Sequence, residues 1–502
     1  MKNIIKIVLL IICAYQLNAG EIKLFKSIEV YGSNPSASDM FAWQVAVGED
    51  YVYLSSPNDS SVNKSSGAVY VYRKDGDSLY FHQKIFLENS KKFAGFGNRI
   101  SHFGDYLVVT TINKFQTKFG LGYIHLFKNN IDKFELISTI EADTTDYSPN
   151  AIDFDGNYLA VGLAYSSNYA RNGMVKIYEF QNNSFKLSQV IQEDNIKTLH
   201  HIGHNLVLKN GILAFSSITA DGINESTGAV FVYKQKDNQF EFLEKITPND
   251  GSANDYFGIS LALDKDILAI GSMRHSPDKI NPIKSGAVYL YSFEGDKFYF
   301  FNKIYPKENV NQYDYFGASL DIHNGVLVIG AHSDDEGGKN AGAVYVYNQK
   351  GNAWVISDKI FKENSNSHNL FGTSVSILDG KFLCSSHLEE LDGNSIDHGV
   401  AYYYNNNSST DVSDNAENEI INLYPNPTKD FVNLTLPNEI NPDNISVMDI
   451  GGKEVQKIDI RSYKLNNNFK EYSINLKGYP SAVYLILVSD KNKNYSFKVV
   501  KV

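Results

Sequence analysis

Two stretches late in the chain gather the residue types that hold metals or move protons. Residues 332–336 read His-Ser-Asp-Asp-Glu, and residues 387–398 supply His387, Glu389, Glu390, Asp392, Asp397 and His398. Imidazole beside carboxylate suits a divalent cation or a proton-transfer pair. His332, Asp334, Asp335, His387, Glu389 and Asp392 are therefore the candidate metal set. Their spacing matches no established metal signature, and charged loop residues also read as solvated edges. No arginine accompanies the cluster in sequence, which weighs against an enzyme that needs a charge-stabilising group. Tyr165, Tyr169, Tyr313 and Tyr315 are candidate stacking surfaces for sugars. His200, His201 and His204 crowd together, with His204 read as structural, and Cys384 stands where other repeats carry Ile270 and Ile329, a core position. No Gly-x-Ser-x-Gly elbow, phosphate loop or dinucleotide fingerprint stands in a convincing context.

The elements that must position these residues are repeats. "FGASLDIHNGVLVIGAH" (Phe316–His332) is followed by "GAVYVY", and nearly the same text recurs as "FGISLALDKDILAIGSM" with "GAVYLY" and "FGTSVSILDGKFLCSSH" with "GVAYYY". Seven copies align, with the glycine that opens the third segment at Gly67, Gly122, Gly173, Gly228, Gly286, Gly342 and Gly399. A period of about 55 residues exceeds the common helical repeats and suits a four-stranded blade. Alternating apolar residues around Asp264-Lys265-Asp266 or His323-Asn324-Gly325 read as tight antiparallel hairpins. The seventh copy lacks a fourth strand, whereas "IKLFKSIEVYGS" (Ile22–Ser33) precedes the first. An N-terminal strand completing the last blade closes the ring and removes both open edges. The expected fold is all-β, a seven-bladed β-propeller over residues 20–405. His332 and His387 then fall at nearly one repeat position on adjacent blades. The long loops, such as Ser272–Ser285 and Ala331–Ala341, share one rim, where binding residues are expected.

These repeats resemble the FG-GAP family, the blades of integrin-α-type propellers. Calcium-binding members of that family carry Asp-x-Asp-x-Asp-Gly between the first two strands. Here that link is a tight turn, so the usual calcium loops are absent, and no cofactor is assigned beyond a divalent metal at the rim.

The ends carry addresses. Lys2 and Lys6, the apolar "IVLLIICAY" and Ala19 make a secretory signal over residues 1–19. No transmembrane segment is expected in the mature chain. A polar linker over 406–420 leads to short strands over 421–502. These resemble the type A sorting domain of the type IX secretion system, on Tyr424, Pro425, Asn426, Pro427, Asp430, Gly451, Lys498 and Lys501. The resemblance implies a small β-sandwich handled by that secretion machinery in a Bacteroidetes-type bacterium, with the product released or held on the outer surface. The formal charge of −11, with no cluster of Lys and Arg, weighs against nucleic acid. The expectation is a surface or secreted protein whose long-loop rim binds glycans, matrix polymers or protein partners. A polysaccharide lyase or hydrolase at the same rim, and a structural spacer, are the rivals.

Overall fold

The computed structural model describes residues 27–30, 39–76, 78–112, 122–141, 149–164, 173–192, 201–222, 224–277, 283–307, 310–351, 353–362, 365, 368–389, 399–405, 422–424, 429–437, 441–449, 453–466, 469–489 and 494–501. The secretory signal and the polar linker lie outside them. The described residues fall into two compact units, divided after Asn406.

The first unit holds, among the described residues, seven four-stranded antiparallel sheets. They are numbered here by their inner strands: Val45–Val47 (blade 1), Ile100–Phe103 (2), Ala151–Phe154 (3), Leu206–Lys209 (4), Phe257–Asp264 (5), Ser319–His323 (6) and Val375–Leu378 (7). Each inner strand contacts the next, and blade 7 contacts blade 1, so the ring is closed. Blade 7 takes its outer strand from the other end of the chain: Ser27–Val30 pairs antiparallel with Val400–Asn405, Ile28 opposite Tyr403.

Why the third strand reads as an unbroken apolar run follows from the packing. Alternate residues point to opposite faces of a strand. Tyr70 and Tyr72 pack against Leu383 and Tyr403 of blade 7, whereas Val69 and Val71 pack against Ile100 and Leu107 of blade 2. Each sheet is thus buried on both faces by its neighbours.

The inner strands have no strand beyond them, so their edge groups need other partners. Side chains of the neighbouring blade supply them at every junction. Ser374 accepts from Val45 N, Gln44 from Ile100 N, Ser101 from Phe154 N and Asp153 from Leu208 N. Asn205 donates to Ile259 O, and Ser260 to Gly317 O, while Asp321 accepts from Ile377 N. Burial pushes the Asp153 and Asp321 carboxyls up to about 6 despite these bonds. On the outside, six blades share one irregularity: the fourth strand slips register opposite the third, as between Val346 and Tyr347. A bulge there twists an exposed edge away from foreign strands.

The second unit contains two four-stranded sheets. One runs Asn422–Tyr424, Phe431–Pro437, Phe469–Asn475, Lys464–Asn466, and the other Glu454–Ile458, Asn444–Asp449, Val483–Ser489, Asn494–Val500. Val432, Leu434 and Tyr472 of the first share one core with Ile445, Ile486 and Val499 of the second, a sandwich.

Candidate functional site

The recurring Phe-Gly pair and the glycine of the third strand answer one another across the blade boundary. Gly342 forms a parallel bridge with Phe371 of the next repeat, as Gly67 does with Phe96. A Cβ on Gly342 would sit 2.1 Å from the Phe371 carbonyl oxygen, at a φ of +89°. Only glycine allows that approach. The chain reaches this position, Phe in most blades and Ile202 in blade 4, through a left-handed residue: Met40 (φ 52°), His201 (50°), Tyr256 (59°), Tyr315 (59°) and Leu370 (55°). This backbone is common to the repeats, and among the described residues blades 5 and 6 place tyrosine on it. Bulky residues there carry strain, a feature that concentrates at functional sites.

The rim turn after each second strand is also repeated. Three residues beyond that strand, Asp59, Asp334 and Glu389 accept from the tyrosine of the third strand: Tyr70 at 2.8 Å, Tyr345 at 2.9 Å and Tyr402 at 2.7 Å. A lysine completes each lock. Lys84 meets Asp59 at 2.7 Å, Lys359 meets Asp334 at 2.8 Å, and Lys362, lent by blade 6, meets Glu389 at 2.5 Å. Burial pulls the Asp59 carboxyl up, but the bonds from Lys84, Ser61 and Tyr70 outweigh it and hold it below its ordinary value. In blade 5 His275 takes this position, between Asp255 (2.8 Å) and the Tyr289 hydroxyl (3.1 Å).

These locks take up two carboxylates of the candidate metal set, Asp334 and Glu389. Asp334 is 1% exposed and is turned into its own blade rather than toward an imidazole. Asp335 accepts from Asn340 N at 2.7 Å, and Asp392 lies outside the described residues, as do Tyr165 and Tyr169. His332 and His387, one residue beyond their strands, face elsewhere. His332 lies 5.3 Å from the Tyr315 ring, and His387 lies edge-on to Trp43 at 5.1 Å. Burial lowers both imidazoles to about 4, and neither Nδ1 has a hydrogen-bond partner. The reason is the turn itself: Asp334 N donates to Ala331 O at 3.0 Å, which sends positions one and three apart. Among the described residues no group of three or more His, Cys, Asp or Glu is arranged to hold a metal ion. Cys384 is fully buried, and burial raises its thiol well above the ordinary value. His204 is half-buried, and desolvation lowers its imidazole to about 4.

What the fold does assemble at the rim is an aromatic strip. The Arg274 guanidinium, two residues beyond the second strand of blade 5, lies 4.5 Å from the Tyr256 ring centroid and 5.8 Å from that of Tyr315. Tyr315 continues to Tyr313 at 5.9 Å and to His332. Tyr313 is 43% exposed. The sequence reading named Tyr313, Tyr315 and His332 but missed Tyr256 and Arg274, having noted only that no arginine accompanies the acidic cluster of blades 6 and 7 in sequence. A signal existed: Tyr256 and Tyr315 hold the same repeat position, directly before Phe-Gly. Between the tyrosines, Asp314 is 2% exposed and accepts from Asn311 N at 2.7 Å, while its Oδ1 has no partner. Burial, and then the charge of Asp334, raise this carboxyl to about 7.

In the tail, Tyr424 pairs with Asn433, Asp430 O accepts from Leu476 N, Lys498 pairs with Leu485, and Lys501 N donates to Ala482 O. Pro425, Asn426, Pro427 and Gly451 lie outside the described residues. No helix among the described residues is long and apolar enough to cross a membrane.

Comparison with known families finds the FG-GAP repeat over residues 240–291 and 301–347, and the secretion system C-terminal sorting domain over residues 422–502. No curated protein matches the chain in sequence. Similar solved structures include the β-propeller domain of the Trilobed protease from Pyrococcus furiosus, at 11% identity and a TM-score of 0.45, covering 74% of this chain and 94% of that one. A Bacteroides uniformis protein provisionally named a 6-phosphogluconolactonase is similar at 12% identity and a TM-score of 0.43, covering 64% of this chain and 86% of that one. The chain thus carries FG-GAP repeats within its propeller, over residues 240–291 and 301–347, and a type IX secretion sorting domain over residues 422–502, and it is an exported protein, released or attached at the outer surface of the outer membrane.

Proposed function

We propose that the exported propeller is a carbohydrate-binding protein whose site is the long-loop rim at blades 5 and 6. The observation that carries this reading is the pair Tyr313 and Tyr315, one ring 43% exposed and 5.9 Å from the next, held on left-handed backbone. Aromatic faces offer apolar area with little conformational entropy to lose, and their hydroxyls remain free for polar contacts. Binding needs only this patch. A lyase or hydrolase needs converging acid, base and charge-stabilising groups, and here Asp334 and Glu389 are held by lysines instead.

The test is a glycan and matrix-protein array probed with the full mature chain, its Tyr313→Ala and Tyr315→Ala variants, and an EDTA arm. Glycan binding that both variants weaken supports the reading. Binding to protein spots alone, or glycan binding indifferent to both variants, refutes it. Loss under EDTA would restore a metal to the rim, and depolymerised glycan would favour the enzyme.

A further inference from the structure

Several cations in the propeller are held by carboxylates. Lys84, Lys209, Lys303, Lys359 and Lys362 each sit on a carboxylate within 3 Å. Arg274 does not. Among the described residues its guanidinium makes no ion pair and donates no side-chain hydrogen bond, and its Nε is buried without a partner. What holds it is the face of Tyr256, with Tyr315 beyond. Contact through ring faces fixes the guanidinium plane and leaves its in-plane N–H groups unused. Such a fork matches the two oxygens of a carboxylate or the oxygens of a sulfate.

We infer that the blade 5–6 rim selects anionic polysaccharides, with Arg274 pairing the carboxylate or sulfate of a sugar whose ring rests on Tyr313 and Tyr315. The inference rests on the carbohydrate reading above and adds the ligand's charge. Three features support a sugar bearing that charge. The tyrosine platform is contiguous with the guanidinium, since Tyr315 touches both Arg274 and Tyr313. The platform is strapped in place from the neighbouring loop, Tyr313 N donating to Lys284 O and Phe316 N to Ser285 O, each at 2.8 Å. Arginine appears at this repeat position only in blade 5; Asn58, Thr219, Ser333 and Leu388 stand there in blades 1, 4, 6 and 7. A packing role common to the repeats therefore does not account for it.

Affinity electrophoresis of the full mature chain in gels holding polygalacturonate, a sulfated galactan or neutral dextran tests this. The expected result is retention by one or both acidic polymers and none by dextran. Arg274→Lys keeps the charge but not the fork and should weaken retention about tenfold, with Arg274→Gln abolishing it. Tyr313→Ala, at an exposed position, should weaken it by a similar factor, which tests the site even if the Arg274 variants melt early. Equal retention by dextran, or acidic retention unchanged in Arg274→Lys and Arg274→Gln, overturns the anionic inference and leaves the carbohydrate reading standing. Failure of every polysaccharide overturns both. Competition by polyglutamate as strong as by polygalacturonate overturns the sugar part, because the fork would then be reading carboxylates alone.

Discussion

Blades 4 and 6 share one backbone and fill it differently. In both, the residue three beyond the second strand donates back to it: Ala220 N to Ser217 O at 3.1 Å, Asp334 N to Ala331 O at 3.0 Å. In both, the third-strand glycine donates to that residue's carbonyl at 2.9 Å, Gly228 to Ala220 and Gly342 to Asp334. Blade 6 then adds a buried carboxylate, tyrosine and lysine. Blade 4 has Ala220 and Phe231 instead, and Lys245 turns to the Asp221 carbonyl at 3.0 Å. The repeat is therefore carried by glycines and main-chain bonds. The polar lock is an addition, costly to break once present and dispensable where the acid and the tyrosine are both replaced by apolar residues and the lysine finds another partner.

The hardest blow to that comparison is Asp334→Ala. It strips the Tyr345 hydroxyl and one partner of Lys359, which keeps Glu336, and should cost about 2–3 kcal/mol in chemical denaturation. Loss no larger than for an exposed residue would mean that the locks are idle. Gly342→Ala strikes what both blades share, a Cβ against the Phe371 carbonyl at positive φ. A loss of about 1–3 kcal/mol is expected, matched by Gly228→Ala in blade 4. Gly351→Ala, at a turn with open space around it, should cost about 1 kcal/mol.

Asp314→Asn sharpens the comparison through pH. The Asp314 carboxyl titrates near 7 in the fold against an ordinary 3.8. Its neutral form thus contributes stability that is complete below about pH 4 and is lost as pH rises to about 7. Thermal melts of the variant should stand above the wild type at pH 8 and converge with it near pH 4. Blade 7 already carries the uncharged version, Asn369, bonded to Ser365 Oγ at 2.8 Å. Parallel melting curves would show that folding leaves the Asp314 pKa unshifted. The smallest effect is expected from making blade 6 resemble blade 4. Asp334→Ala with Tyr345→Phe should recover most of the single-variant loss, leaving about 1 kcal/mol, because Lys359 keeps Glu336 at 2.6 Å.

Much of the propeller was legible because its signals are local. Alternation in "GAVYVY", turn residues such as Asp264-Lys265-Asp266 and a spare strand at the N-terminus fix strands, hairpins and closure. So was the tail, from a handful of motif residues. The orientation of the candidate metal residues was not legible for a definite reason: His332 and Asp334 are two apart in sequence, but the turn between them sets one against the Tyr315 ring and the other into the blade. Sequence proximity within a loop says little about direction.

From the chain alone come the repeat, its four-stranded unit, the split last blade and the export address, since periodicity, glycine placement and turn chemistry act within a few residues. Only the tertiary structure decided which side chains meet. Arg274 and Tyr315 belong to different repeats and touch because the residue before Phe-Gly in one blade lies beside the second-strand end of the blade before. That neighbour relation is set by how twisted sheets pack around a closed ring, a geometry no single repeat contains.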